Sequence, residues 1–289
     1  MNNTIVIGYD GSPDAHTALT WALDEAARTA APAEIVYADE WPLWAPAASM
    51  APTVAIRPDS YVEHVITGML DTAVTTAKET HPTVHVTATT VRAYASATLI
   101  GRSTEARLVV VGARGHSAVA GLLGSVSSAV SAHARCPVVV VRGEPAGTAP
   151  VVAGIDGSAL APAVLRFAAQ QATARNVPLR VIRTWTPVTG LWEETPMATR
   201  TVTAEEREPF DTLVTGIRDT FPGLMIEAEG SVEHPAAALA LASTTAQLLV
   251  VGSRGRGAVR GMLLGSVSQH LLRHSACTIA VVHKTPVEH

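Results

Sequence analysis

The stretch Leu248–Leu272, LLVVGSRGRGAVRGMLLGSVSQHLL, is the one around which the chain is organised. It opens on Leu248–Val251, a short apolar run of the kind that fits a fully buried strand. Gly252 ends the run, and Gly255 and Gly257 follow in a polar, arginine-bearing loop. Gly265 then stands before Ser266-Val267-Ser268, where a helical pattern begins with Val267, Leu271 and Leu272 on one face. Glycines let a backbone approach a ligand without a Cβ in the way. Ser266 or Ser268 can serve as an N-cap, and the free N–H groups of a helix start attract phosphate. Taken alone, the stretch reads equally as an anion site or as a strand, a loop and a capped helix.

Repetition changes the reading. Leu108–Val130, LVVVGARGHSAVAGLLGSVSSAV, repeats it with small edits. Val6-Ile7-Gly8-Tyr9-Asp10-Gly11-Ser12 is echoed by Val152-Ala153-Gly154-Ile155-Asp156-Gly157-Ser158. Both halves close on a cysteine and an apolar run, Cys136-Pro137-Val138–Val141 and Cys277-Thr278-Ile279–Val282. A period of about 140–146 residues is a duplicated domain and not a solenoid. The boundaries that follow are 1–142 and 151–289, with 143–150, rich in Gly, Pro and Ala, as linker.

Each half is long enough for its own core. The net charge of −4 gives no footprint for nucleic acid or an anionic membrane surface. Lys78 and Lys284 are the only lysines, so arginine carries nearly all positive charge. One cysteine per half argues against a disulfide framework and suits small buried side chains in a reducing compartment. The chain enters a strand at Thr4 with no signal-peptide pattern, and no apolar run approaches the ~20 residues of a membrane span. The expectation is a cytoplasmic protein.

In order, the first half reads as a strand at Ile5–Tyr9 and a helix from Pro13 to about Thr29, N-capped by Ser12, with Ala15, Leu19, Ala22, Leu23 and Ala26 packed. A strand at Glu34–Glu40 and a Pro/Ala/Trp-rich insert at Trp41–Arg57 follow. The helix Asp59–Glu79 has Val62, Val65, Ile66, Met69, Leu70 and Ala73 at helical spacing. A strand at Val84–Val91, a helix at Ser96–Ala106, the strand Leu108–Val111, the helix Ser125–His133 and the strand Pro137–Val141 complete it. The second half repeats the series, with an insert at Trp185–Thr203. Strands alternating with helices make a parallel, doubly wound α/β sheet with right-handed crossovers, and such sheets bind ligands where the strand order reverses. Asp10 and Asp156 end first strands and the glycine loops end fourth strands, so each half brings distant motifs to one crevice. The two acids also fit plain turn or cap roles.

These residues resemble the universal stress protein family in its tandem-domain form, whose members carry G-x2-G-x9-G-[ST] after the fourth strand and an Asp after the first. The second half matches in full: Gly252-Ser253-Arg254-Gly255, nine residues, then Gly265-Ser266. The first half has Gly112-Ala113-Arg114-Gly115 but only eight residues before Gly124-Ser125. The resemblance covers essentially the whole chain. It implies two Rossmann-like domains of the adenine nucleotide alpha hydrolase type, each a five-stranded parallel sheet with helices on both faces. It also implies, for one branch, bound ATP.

Carried over, Gly154 and Asp156 would lie near base and ribose, and Thr184 would offer backbone groups to adenine. Gly252, Ser253, Arg254, Gly255, Arg256 and Gly257 would wrap ribose and phosphates, and Gly265, Ser266, Val267 and Ser268 would hold the phosphates. The first-half counterparts are Gly8, Asp10, Glu40, Gly112, Ala113, Arg114, Gly115, His116, Ser117, Gly124, Ser125 and Val126. Arg256 and Arg260 align with His116 and Ala120, which removes positive charge from the first loop. The histidines show no repeated ligand spacing, while a Mg²⁺ between phosphates and water would need few protein ligands.

Three functions are compatible. One is a stress-response regulator that binds ATP without rapid turnover. Another is a slow ATPase or nucleotide-using enzyme, although neither lysine lies in G-x4-G-K-[ST] and no acid pair or nucleophile with a base stands near the loops. The third is a nucleotide-free scaffold working through protein partners. The closing strands are apolar and fit sheet edges that are paired or covered; the resemblance implies that the halves pack through them about a pseudo-two-fold axis as an intramolecular pseudo-dimer, with further homo-oligomers open.

Overall fold

The computed structural model describes residues 3–40, 59–115, 123–143, 147–186, 201–256 and 263–284. The first half runs β1 (Ile5–Gly8), α1 (Pro13–Thr29), β2 (Ala33–Ala38), α2 (Asp59–Thr80), β3 (Val86–Val91), α3 (Ala95–Arg102), β4 (Leu108–Gly112), α4 (Ser125–His133) and β5 (Val138–Val141). The second runs β6 (Val151–Ile155), α5 (Ala161–Arg175), β7 (Leu179–Trp185), α6 (Ala204–Thr220), β8 (Ile226–Val232), α7 (Pro235–Ala242), β9 (Leu248–Gly252), α8 (Ser266–His274) and β10 (Thr278–Val282).

The ten strands form one sheet in the order β3-β2-β1-β4-β5-β10-β9-β6-β7-β8. Pairing is parallel within each half and antiparallel between them, where Val140 faces Ile279, Val139 faces Ala280 and Val138 faces Val281. The expected joint of the two closing strands is therefore the seam of the sheet. Helices cover both faces. Leu19 of α1, Leu70 of α2, Leu165 of α5 and Phe210 of α6 share one core; Leu99 of α3, Val130 of α4, Leu239 of α7 and Leu271 of α8 share the other. Buried on both faces, the central strands are continuous apolar runs rather than alternating ones.

Local chemistry sets the ends. Ser12 Oγ accepts from Ala15 N at 3.2 Å with Pro13 in the first turn, and α1 stops at Ala30 in the left-handed region (φ 50°). Thr203 and Glu206 form a reciprocal capping box on α6. Some expected boundaries move. β2 starts at Ala33 and stops at Ala38, leaving Glu40 beyond the strand. α3 ends at Arg102, short of the expected Ala106, and α7, expected over Pro235–Ala246, ends at Ala242, where a 3₁₀ turn over Ser243–Thr245 takes over. On α2 the packed stripe is Ile66, Leu70, Ala73 and Ala77, whereas Val62 and Val65 point outward, because the helix meets the sheet over a narrower arc than its apolar content suggests. The first insert lies outside the described residues, as does most of the second.

Polar contacts also cross between halves. Glu25 of α1, 2 % exposed, accepts from Gln171 Nε2 of α5 at 2.7 Å and pairs with Arg175 at 3.0 Å. Arg175 lies over the Trp21 ring, 5.1 Å from its centroid. Arg142, just past β5, donates to the carbonyls of Leu272, Arg273 and Ser275 at the end of α8. At the repeat-equivalent position, His283 Nε2 donates to Ser131 O of α4 at 2.9 Å. Cys136 and Cys277 are free and buried, and burial pushes the Cys136 thiol up to about 12.

Removing Glu25 strands a buried guanidinium. Glu25→Ala should lower the unfolding free energy by about 3–5 kcal/mol, and adding Arg175→Met should recover part of it; urea unfolding of the full chain measures both. Burial also holds the His283 imidazole below its ordinary 6.5, so folding disfavours its protonation. The unfolded chain takes up that proton first, so this contribution is whole above 6.5 and lost as pH falls below it. His283→Gln should flatten the fall in urea midpoint between about pH 7 and 5.

Candidate functional site

In each half the strand order reverses between the first and fourth strands, β1 beside β4 and β6 beside β9. At that switch point in the second half lies a cleft of about 740 Å³. Its floor is the end of β6, Gly154 to Ser158, and its walls include Thr184 on β7, Leu239 on α7, Gly252 at the end of β9, Arg254, Gly255 and Arg256 after it, and Leu264–Ser268 at the start of α8. The crevice is open at the carboxyl edge of a doubly wound sheet, the usual ligand position in such folds.

Asp156 organises the cleft. Its Oδ1 accepts from Ser158 N at 2.9 Å, which is the turn role; its Oδ2 accepts from Arg256 N at 2.8 Å, which ties the glycine loop to the end of β6. Gly255 passes so close that a Cβ there would stand 2.5 Å from Asp156 Oδ2. Asp10 repeats the arrangement, accepting from Ser12 N at 2.9 Å, and a Cβ on Gly115 would stand 2.6 Å from its Oδ2. These glycines are needed because a carboxylate fills the space a side chain would take.

The start of α8 differs from the expected cap. Gly265 occupies the N-cap position and supplies no side chain, while Ser268 Oγ turns away to donate to Gly252 O at 2.6 Å. Ser266 is the first helical residue. Among the described residues no side chain caps the first turn, and the helix dipole adds positive potential there. In the first half Gly124 is the N-cap of α4, and Ser127 Oγ donates to Gly112 O at 2.7 Å. Ser125 and Val126 open that helix.

The arginines separate the two halves. Arg254 and Arg256 have no ion-pair partner among the described residues. Arg114, at the repeat position of Arg254, pairs with Asp14 at 3.1 Å. The second-half residue at the position of Asp14 is Leu160, which cannot do this. Register settles another equivalence. Val151 pairs with Leu179 and Ile5 with Ala33, so Thr184 corresponds to Ala38 and not to Glu40. Glu40 instead accepts from Ala95 N at the start of α3 at 2.8 Å. The two-residue slip arose from ending β2 at Glu40. Gly8 lies on β1 against Leu99, and Ala113 is buried after β4. Ser253, also buried, donates its N–H to Val282 O. Gly257, His116 and Ser117 lie outside the described residues.

Several cleft residues escaped the sequence reading, Arg183, Trp185 and Glu206 among them. The signal was present: in Leu179-Arg-Val-Ile-Arg-Thr-Trp185, residues 179, 181, 183 and 185 share one face, and three of those four are apolar. Among the described residues no three His, Cys, Asp or Glu gather as a metal site, and no helix is long and apolar enough to cross a membrane.

The fold and cleft define a tandem doubly wound α/β protein with a glycine loop at the switch point of each half. The model of the universal stress protein family matches residues 1–142 and again 148–283, and the chain belongs to that family. Universal stress protein Rv2623 of Mycobacterium tuberculosis is 34% identical over 298 residues, covering 98% of this chain and 94% of its own. A solved universal stress protein from Archaeoglobus fulgidus has the same fold, with TM-score 0.71 at 17% identity, covering 99% of this chain and 98% of that one. Over a single half, a universal stress protein solved in complex with cAMP matches at 28% identity and TM-score 0.37, covering 48% of this chain and 99% of that one.

Gly255→Ala must push either Asp156 or the loop aside and break the Arg256 N–H bond. The expected cost is about 1–3 kcal/mol in unfolding free energy, with faster amide exchange at Arg256. Gly216→Ala in α6, where a Cβ meets nothing within 4 Å, should instead raise stability by about 0.5–1 kcal/mol. Denaturation with hydrogen-exchange mass spectrometry measures the contrast.

Proposed function

We propose that the second half binds an adenine nucleotide, ATP, and that the chain is a stress-adaptation regulator which holds the nucleotide without rapid turnover. The observation that carries this reading is the uncapped start of α8, Gly265 to Ser268, facing the same cleft as Arg254 and Arg256. A polyphosphate would supply the missing acceptors and meet the unpaired guanidinium groups. Asp156 and Gly154 would lie beside the ribose and base, and Thr184 would offer its backbone to adenine. A Mg²⁺ ion would be held between phosphates and water, with few ligands from the protein.

The cleft offers binding groups more readily than catalytic ones. No lysine lines it, and of its two carboxylates Asp156 accepts from two backbone N–H groups while Glu206 accepts from Thr203 N in the capping box of α6. The first half is the poorer phosphate site, because Asp14 already occupies Arg114. The seam between β5 and β10 makes the chain its own pseudo-dimer, and the free cysteines suit work in the cytoplasm.

The test is the small molecules released when the purified protein is denatured, counted per chain by mass spectrometry beside Gly265→Ala. The expected result is ATP at about one per chain, lost in the variant. Two per chain would mean that the first half binds as well. ADP with consumption of added ATP would favour an enzyme. No nucleotide released and none bound on titration would reject the reading in favour of a scaffold.

A further inference from the structure

β7 carries a charge on a face where its other residues are apolar. Leu179, Val181, Arg183 and Trp185 face the layer of α5 and α6, and Arg183 is only 5% exposed. Its guanidinium lies over the Trp185 ring, 4.7 Å from the centroid, and Trp185 meets Phe210 of α6 edge-on at 6.3 Å. Behind the indole is Gly230 of β8, where a Cβ would come within 2.9 Å of the ring. The stack is thus fixed from three sides.

Two donors in this stack are unsatisfied. Arg183 NH1 and Trp185 Nε1 are buried without a hydrogen-bond partner, and Arg183 has no ion-pair partner among the described residues. Both side chains line the cleft. A buried cation without a partner is costly, and two orphaned donors on one wall call for an acceptor. The charges acting on Arg183 are Arg256, which repels it, and Asp156, which attracts it. Asp156 is already engaged by the amides of Ser158 and Arg256. Around the cleft three guanidinium groups, of Arg183, Arg254 and Arg256, outnumber two carboxylates, of Asp156 and Glu206, and this imbalance favours an anion. The first half carries Tyr37 and Asp39 at the positions of Arg183 and Trp185, so this feature belongs to the second cleft alone.

We propose that Arg183 and Trp185 form a second anion subsite in this cleft, one that takes a phosphoryl group on the ribose edge of the bound nucleotide. The inference rests on the nucleotide reading above. In that reading the 5′ chain runs to the start of α8 and the ribose lies beside Asp156. Asp156, the carboxylate beside the ribose in that reading, is also the one that acts on Arg183, which sets the 2′,3′ edge of the sugar toward this guanidinium. The planar guanidinium fork matches two phosphate oxygens, and the indole N–H supplies a further donor. The ligand class is a nucleoside bisphosphate phosphorylated at the 2′ or 3′ position as well as at 5′.

The test compares ADP, adenosine 2′,5′-bisphosphate and adenosine 3′,5′-bisphosphate by calorimetry on the full chain. All carry two phosphates and differ in where the second one sits. One of the ribose bisphosphates should bind at least about tenfold more tightly than ADP. Arg183→Gln should abolish that preference while changing ADP affinity by less than about threefold. Arg183→Lys keeps the charge but not the fork; it should also lose most of the preference, and it decides the matter if the glutamine variant does not fold. Binding of ADP with no preference for either bisphosphate overturns the subsite and leaves the nucleotide reading standing. An equal loss for all three ligands in both variants overturns it too, by making Arg183 a structural residue. Failure of all three, and of ATP, to bind removes the nucleotide reading and this inference together.

Discussion

Four consecutive valines, Val138–Val141, close the first half, and no arrangement leaves them in water at low cost. They are fully or almost fully buried because β10 pairs with them edge to edge. An apolar closing strand left open would be a site for pairing with another chain. Here the partner is the other half of the same chain, and the joint is antiparallel while every other pairing is parallel. That single inversion has a geometric consequence. The carboxyl ends of the two sets of strands point in opposite directions, so the two switch points open on opposite edges of one sheet.

The seam is reinforced by contacts that are not symmetric. Glu25 and Gln171 occupy the same repeat position on α1 and α5 and meet across the pseudo-axis. An identical residue on both sides would set carboxylate against carboxylate or amide against amide. The divergence instead gives one acceptor and one donor, with Arg175 from the second half neutralising the acid. Arg142 and His283 are likewise equivalent in position and different in chemistry: the first makes three bonds to the end of α8, the second one bond to α4. Cationic donors suit helix C-termini, where carbonyls are unpaired. Since α8 begins at the cleft of the second half and ends on Arg142 of the first, the helix that borders one half's cleft is anchored by the other half.

Most of the architecture could be read from the residues. Continuous apolar runs marked the central strands, and the repeated glycine loops and aspartates marked the switch points. What sequence pattern could not supply was competition for partners. Whether Ser266 or Ser268 caps α8 depends on where Ser268 Oγ finds an acceptor, and that acceptor is Gly252 O, sixteen residues away. The counterpart of Thr184 depends on sheet register, and counting residues to the end of a strand missed it by two. Val62 and Val65 fit a helical stripe but face outward, since the sheet covers only part of α2. Arg183 and Trp185 lay in plain sight on a buried strand face, but a search for glycines and acids passes over an arginine among leucine and valine.

The charges explain why two copies of one backbone make unlike sites. Asp14, Asp39 and Glu40 stand near the carboxyl edge of the first sheet, where the second half has Leu160, Trp185 and Thr186. Arg114 is paired, Arg254 has no ion-pair partner among the described residues, and the residue aligned with Arg256 in the first loop is His116. None of these changes disturbs the latch, because both aspartates at the first strand ends still hold a turn and crowd a glycine. The latch depends on backbone N–H groups and on a missing Cβ, which constrain only two positions per half. The cleft lining is therefore free to change sign while the loop that frames it stays put. Arginines and acids can change places around the cleft without unfolding either half, and Arg183, which stands where the first half has Tyr37, shows how far the lining of the two halves differs.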